Sequence, residues 1–215
     1  GGTPFTNEAA GGENYNTLMS LSLSPHDSKV IWAGSDDGLI HITRDGGENW
    51  KNVTPKGLKE GIVNSIEVSQ HDPATAYITL MRYKFMDLTP YIFKTKDYGL
   101  NWELITDGIK GEHTFVRVVR EDPNVPGLLY AGTETGFYIS YDDGENWESF
   151  QNNLPIVPIN DLYIQDNDLI AATAGRSFWI LDDISPLQEQ KNIKGLHLVT
   201  PKNGYRIFSG KTSKK

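Results

Sequence analysis

Along most of the chain, short stretches alternate apolar and polar residues or gather a few apolar ones, and Gly, Asp, Asn or Pro separates them. Such runs read as strands bounded by tight turns. The first group is Leu18-Met-Ser-Leu-Ser-Leu23, then Val30-Ile-Trp-Ala33, Leu39-Ile-His-Ile42 and Trp50-Lys-Asn-Val53. The second is Val63-Asn-Ser-Ile-Glu-Val68, Ala76-Tyr-Ile-Thr-Leu80, Tyr91-Ile-Phe93 and Trp102-Glu-Leu-Ile105. The third is Phe115-Val-Arg-Val-Val119, Leu128-Leu-Tyr-Ala131, Phe137-Tyr-Ile139 and Trp147-Glu-Ser-Phe150. A fourth group, Ile159-Asn-Asp-Leu-Tyr-Ile164, Leu169-Ile-Ala-Ala172 and Phe178-Trp-Ile-Leu181, runs into Asp182-Asp-Ile-Ser-Pro186 with no evident outer member. No segment carries the 3.6-residue stripe of an amphipathic helix.

Between the third and fourth strands of the first three groups one phrase recurs, [ST]-x-D-x-G-x-N-W. It begins at Thr43, Thr95 and Ser140. The starts are 52 and 45 residues apart, a spacing of stacked repeats, each unable to bury its own faces alone. Four antiparallel strands per repeat predict an all-β protein built of β-propeller blades. The expected blades are 18–61, 62–112, 113–157 and 158–187, after a connecting segment 1–17. A C-terminal extension, 188–215, would follow. Within each blade, strand order from axis to rim would follow chain order. The missing fourth strand of the last group favours an arc of a larger propeller over a closed four-bladed ring, unless His197-Leu-Val199 or Tyr205-Arg-Ile-Phe208 supplies that strand. The opening residues, Gly1-Gly-Thr-Pro4, lack an initiator Met and read as a continuing connection in a processed or excised piece.

Within the phrase, the hydroxyl of Thr43, Thr95 or Ser140 and the carboxylate of Asp45, Asp97 or Asp142 can hold the turn through backbone N–H groups. Gly47, Gly99 and Gly144 would take the positive-φ position. Trp50, Trp102 and Trp147 would pack between neighbouring sheets. A catalytic or calcium role would need the ligands gathered in one place, whereas these hairpins belong to separate blades. The phrase is therefore read as a structural staple.

Composition narrows the function classes. A net charge of −8 argues against nucleic acid or an anionic membrane as partner. Cysteine is absent, which removes disulfides and thiolate chemistry. The five histidines have no metal-ligand spacing. Neither a phosphate-binding Gly-rich loop nor a nucleophile elbow is present. No apolar run approaches the roughly 20 residues of a membrane span. No cofactor or metal is expected.

The phrase resembles the Asp-box, or bacterial-neuraminidase (BNR) repeat, of sialidases, xyloglucanase-type glycosidases and sortilin-type receptors. A closer resemblance rests on Gly11-Gly-Glu-Asn14, Trp32-Ala-Gly-Ser-Asp-Asp-Gly38, Pro90-Tyr-Ile-Phe-Lys-Thr-Lys-Asp-Tyr-Gly99, Val119-Arg-Glu-Asp-Pro123 and Gly175-Arg-Ser-Phe-Trp-Ile-Leu-Asp-Asp-Ile-Ser-Pro-Leu187. Through these, residues 11–208 are similar to the C-terminal blades of large secreted bacterial Asp-box propeller proteins, labelled sortilin-like or glycosyl-hydrolase-like. The resemblance implies a secreted, periplasmic or cell-surface setting. It also implies that the remaining blades lie on a longer precursor or a second chain. It brings no settled activity.

Chemistry would be expected at the end of the blades opposite the boxes, where the hairpins between second and third strands open toward the funnel. There Asp36, Asp37, Asp87 and Glu134 are the candidate carboxylates of a glycosidase pair, since two such groups flanking a sugar suffice. Arg82, Tyr83, Lys84 and Arg176 are candidates for ligand contact. The competing reading makes S-D-D-G and T-E-T-G ordinary hairpin turns and gives Arg176 the task of satisfying carbonyls near the axis. A sialidase would need an arginine triad, improbable here among six arginines of which Arg44 lies in a box. Two function classes therefore stand: a binding or scaffold propeller segment for peptide or glycan, and part of a glycoside hydrolase completed by blades elsewhere.

Overall fold

A computed structural model describes residues 16–190, 195 and 198–199. Four antiparallel sheets follow one another along the chain. The first is β1 (Leu18–Leu23), β2 (Ile31–Ser35), β3 (Ile40–Thr43) and β4 (Lys51–Asn52), hydrogen-bonded in that order. The second repeats it with β5 (Ile62–Val68), β6 (Ala76–Met81), β7 (Ile92–Thr95) and β8 (Glu103–Leu104). The third has β9 (Val116–Glu121), β10 (Leu129–Thr133), β11 (Phe137–Ser140) and β12 (Glu148–Ser149). The fourth sheet has three strands, β13 (Ile159–Gln165), β14 (Asp168–Thr173) and β15 (Phe178–Leu181). The tail segments considered for its outer strand are not described as strand: residues 197 and 205–208 lie outside the described residues.

The first strand of each sheet packs against that of the next, β1 on β5, β5 on β9 and β9 on β13. These are the inner strands, and the two-residue β4, β8 and β12 form the rim. The sheets bury their facing surfaces on one another. Val30, Trp32, Ile40, Ile42 and Val53 of the first meet Val63, Ile66, Val68, Ile78 and Leu80 of the second. Each large aliphatic group so buried contributes roughly 1.5–3 kcal/mol. The indole of Trp102 meets that of Trp32 edge to face at 6.1 Å. Blades two and three join through Tyr77, Ile92, Ile105, Val119 and Trp147, and blades three and four through Tyr130, Phe137, Ile159, Leu162 and Leu169. The outward faces of the two terminal sheets stay apolar and exposed. Leu21 and Leu23 mark one; Tyr163, Phe178 and Ile180 mark the other.

Two short helical pieces depart from the all-strand expectation. Tyr83–Phe85 form a single 3₁₀ turn inside the long β6–β7 excursion, which an isolated bridge between Arg82 and Asp87 closes. Ser185–Gln190 form α1. Pro186 near its start fits the first helical turn, and Asp183 accepts from the N–H of Ser185 at 3.2 Å and from its hydroxyl at 2.5 Å. Six residues are too few to show a stripe, so α1 was invisible to periodicity. Its one buried residue, Leu187, anchors it on the last blades. Among the described residues no helix is long and apolar enough to cross a membrane.

Candidate functional site

The two ends of the blades carry different chemistry. At one end the three boxes fold alike. The Thr43 hydroxyl donates to Asp45 at 2.7 Å and accepts from the N–H of Gly47 at 3.0 Å. Asp45 then accepts from the Asn49 backbone at 3.0 Å and from its side-chain amide at 2.9 Å. Thr95, Asp97, Gly99 and Asn101 repeat these bonds within 2.7–2.9 Å. Ser140, Asp142, Gly144 and Asn146 repeat them within 2.8–3.0 Å.

Donors converging on a carboxylate favour its charged form. Asp45 and Asp97 are held below the usual carboxylate range, first by the backbone N–H of Asn49 and Asn101 respectively. Partial burial opposes this at Asp142, but the bonds from Asn146 and Ser140 outweigh it. Each box also clips the neighbouring loop: the N–H of Gly46, Tyr98 and Asp143 donates to the carbonyl of Lys29, Ala74 and Gly127 at 2.8–3.0 Å. Every oxygen of these carboxylates is spent on its own turn, and the three turns belong to three sheets. Trp102 and Trp147 donate to the carbonyls of Val53 and Ile105 on the preceding blade, at 2.7 and 2.8 Å. Trp50 is exposed.

At the opposite end each of the four candidate carboxylates has partners within the chain. Asp36 accepts from the N–H of Asn16 and Thr17 at 2.9 and 2.8 Å. Asp37 accepts from the Ser35 hydroxyl and from the N–H of Leu39. Asp87 pairs with Arg82 and accepts from the Tyr91 hydroxyl at 3.0 Å. Glu134 pairs with Arg117, whose Nε lies 2.7 Å away. Arg82 also donates to the Glu60 carbonyl at 2.8 Å, and Tyr83 stacks on Phe115 at 5.7 Å. Lys84 is exposed. So is Arg176, whose own carbonyl accepts from the Trp179 indole at 3.0 Å. Each of the four carboxylates is thus engaged by a backbone N–H, a hydroxyl or a guanidinium of this chain.

Polar groups gather instead on the inner strands. Each inner strand carries a β-bulge at the same place, between Leu18 and Ser20, Val63 and Ser65, Val116 and Val118, and Ile159 and Asp161. The extra residues are Met19, Asn64, Arg117 and Asn160, and all four line one recess of about 380 Å³. Bulges re-aim side chains in this way. Ser65, Arg120 and Asp161 share the lining. Arg120 ties three blades together. Its Nε donates to the Leu162 carbonyl at 2.9 Å, one amine to Ser65 at 3.0 Å, and the other to Asp161 at 2.6 Å. Glu67 lies 3.5 Å from the same guanidinium. Burial pushes the Glu67 carboxyl up to about 7, against the pull of Arg120. The Asn64 amide donates to the Arg117 carbonyl at 2.5 Å and Thr79 to the same oxygen at 3.1 Å, which fixes that bulge. Among the described residues no cluster of His, Asp and Glu is placed to hold a metal ion.

Sequence reasoning passed over these recess residues. A signal was there: aligning the strand starts Leu18-Met-Ser, Val63-Asn-Ser, Val116-Arg-Val and Ile159-Asn-Asp puts the bulge residue second each time. Simple alternation treats that residue as one more half-buried position.

No protein-family model and no curated protein matches the chain. Solved structures do. A YCF48 structure bound to a D1 peptide is similar at 20% identity and a TM-score of 0.59, covering 78% of this chain and 52% of that one. The GH74 xyloglucanase from Xanthomonas campestris is similar at 16% identity and 0.59, covering 76% and 27%. The extracellular domain of a one-component system from B. thetaiotaomicron is similar at 16% and 0.58, covering 83% and 22%. The chain folds as part of a β-propeller. It spans about half the length of the YCF48 chain and about a quarter or less of the other two. At these identities the likeness is one of fold.

Proposed function

We propose that this chain is a non-catalytic segment of an Asp-box propeller, of the secreted or cell-surface sortilin-like kind, that binds protein or glycan in its axial recess. The remaining blades, on a longer precursor or a second chain, complete the ring. One observation carries the reading: each candidate carboxylate is engaged by a backbone N–H, a hydroxyl or a guanidinium, while four equivalent bulges turn their extra residues into one recess. The lining joins the amides of Asn64 and Asn160 to Met19 and Leu21, with the charges of Arg117 and Arg120 answered by Glu134 and Asp161. Such a neutral, amide-rich lining suits hydrogen-bonding groups of a peptide backbone or a sugar better than an ionic ligand. That a YCF48 structure holds a peptide makes peptide the first ligand class to try.

A peptide library and a glycan array, each probed with the full chain, test this. Hits should weaken or disappear with Asn160→Ala while thermal stability is retained. Hits unaffected by that substitution would contradict the assignment.

The hydrolase reading keeps one specific support. Glu67, with its carboxyl pushed up to about 7, stands across Arg120 from the second carboxyl group, Asp161. Reducing-sugar release from xyloglucan by the full chain, lost in Glu67→Gln, would establish it. The binding reading expects no release.

A further inference from the structure

The boxes do more than staple their own turns. In the second box, a Cβ on Gly99 would meet the Val53 side chain at 2.7 Å, and the Trp102 indole donates to the carbonyl of the same Val53. In the third, a Cβ on Gly144 would meet Ile105 at 2.4 Å, and Trp147 donates to the carbonyl of Ile105. Glycine and tryptophan of one box therefore form a socket, and a β-branched residue ending the outer strand of the preceding blade is its plug. The fit requires glycine, because any side chain would collide with the plug.

The first box has the same two residues and presents them to solvent. Trp50 is 44% exposed, against 3% for Trp147. Among the described residues, only the Trp50 indole nitrogen itself comes as near as 4.0 Å to a Cβ built on Gly47. The sheet face beside this socket is also bare. By the common bulge register, Leu21 and Leu23 correspond to Ile66 and Val68 of the second blade. The latter pair is buried against the first blade, whereas Leu21 and Leu23 are 57% and 58% exposed.

We infer that Gly47, Trp50, Leu21 and Leu23 form a docking surface for one further four-stranded blade. That blade's outer strand ends in Val or Ile, whose carbonyl accepts from Trp50 and whose side chain covers Gly47. This rests on the reading that further blades complete the ring, and it specifies the chemistry of the joint. The two occupied sockets in the same chain define the plug. Residues 1–15 contain no Val, Ile or Leu to serve as one. A second copy would bring its fourth sheet, which among the described residues has no outer strand. Phe150, the equivalent strand end in the third blade, already packs on Phe137 at 6.1 Å.

The test extends the full chain by one blade. The N–H of Asp36 donates to the Thr17 carbonyl as that of Glu134 does to Phe115, so residue 17 corresponds to 115. A second copy of residues 62–114 is therefore placed ahead of residue 17, replacing 1–16. Oxidation by N-bromosuccinimide, mapped by mass spectrometry, reads each indole. In the unextended chain Trp50 should react ahead of Trp102 and Trp147; in the extended chain it should lose that reactivity. Ile105→Gly in the added copy alone should restore it. If Trp50 is already protected in the unextended monomer, the ring closes without further blades and the underlying reading fails. If Trp50 is reactive before and after extension, with Trp102 and Trp147 protected in both, the socket assignment alone fails. A second measurement does not depend on the extension folding: Trp50→Ala should leave the thermal midpoint of the unextended chain in place while Trp102→Ala lowers it. Equal losses would overturn the inference.

Discussion

At the box end of the blades, Thr43, Thr95 and Ser140 make the same bonds to their own Asp and Gly in every copy. At the recess, one shared bulge position holds Met19, Asn64, Arg117 and Asn160. Both features repeat in backbone geometry; only the first repeats in side chains. Repeating side chains do the same work in each copy, and here that work is to hold a turn and receive the neighbouring blade. Differing side chains aimed at one volume offer a ligand several kinds of contact at once.

This contrast can be broken at either end. The largest loss is expected at Arg120, which joins blades two, three and four. Arg120→Ala leaves Glu67 largely buried without its cation and should cost about 3 kcal/mol in urea unfolding. Thr95→Val removes the bond to Asp97 and leaves the buried N–H of Gly99 without an acceptor. It should cost about 1–2 kcal/mol by the same measurement. Trp102→Phe keeps most of the packing but loses the bond to the Val53 carbonyl, for about 1 kcal/mol. Asn160→Ala should stay within about 0.5 kcal/mol of the parent and yet weaken ligand capture. If Asn160→Ala unfolds the chain as readily as Thr95→Val, the division between the two ends is wrong.

Titration separates the same two regions. The box carboxylates are depressed in the folded chain, so the stability they contribute is present above the ordinary 3.8 and is lost as pH falls below it. Glu67 is raised. Its contribution is fully present below its ordinary 4.5 and is lost as pH rises through about 7. The thermal midpoint should therefore fall on both sides of a mildly acidic maximum, and Glu67→Gln should flatten only the alkaline limb. An unchanged alkaline limb in that variant would show that burial does not govern Glu67.

Much of this fold could be read before any coordinates. Period-2 runs such as Val63–Val68 and the turn chemistry of the boxes act locally, and local rules survive into the structure. The recess was harder. A β-bulge shifts the alternation by one, so Asn64 and Arg117 look like ordinary half-exposed strand positions until the pairing register is known. Arg120 stands in the Val119–Pro123 stretch with no role that its neighbours in sequence suggest, and its partners Ser65 and Leu162 lie 55 and 42 residues away in the chain. Asp36, Asp37, Asp87 and Glu134 were visible as carboxylates at a plausible end, but their partners decide their availability. Those partners include the backbone N–H of Thr17 and the guanidinium of Arg117, which no spacing discloses.

The most direct test of the central claim is hydrogen exchange on the full chain, with and without the best-binding peptide or glycan from the library and array. The inner strands 18–23, 62–68, 116–121 and 159–165 should gain protection together while the amides of Gly47, Gly99 and Gly144 keep their rates. Protection confined to the hairpins at Asp36–Asp37 and Glu134, with the inner strands unchanged, would contradict the account and return the site to those carboxylates.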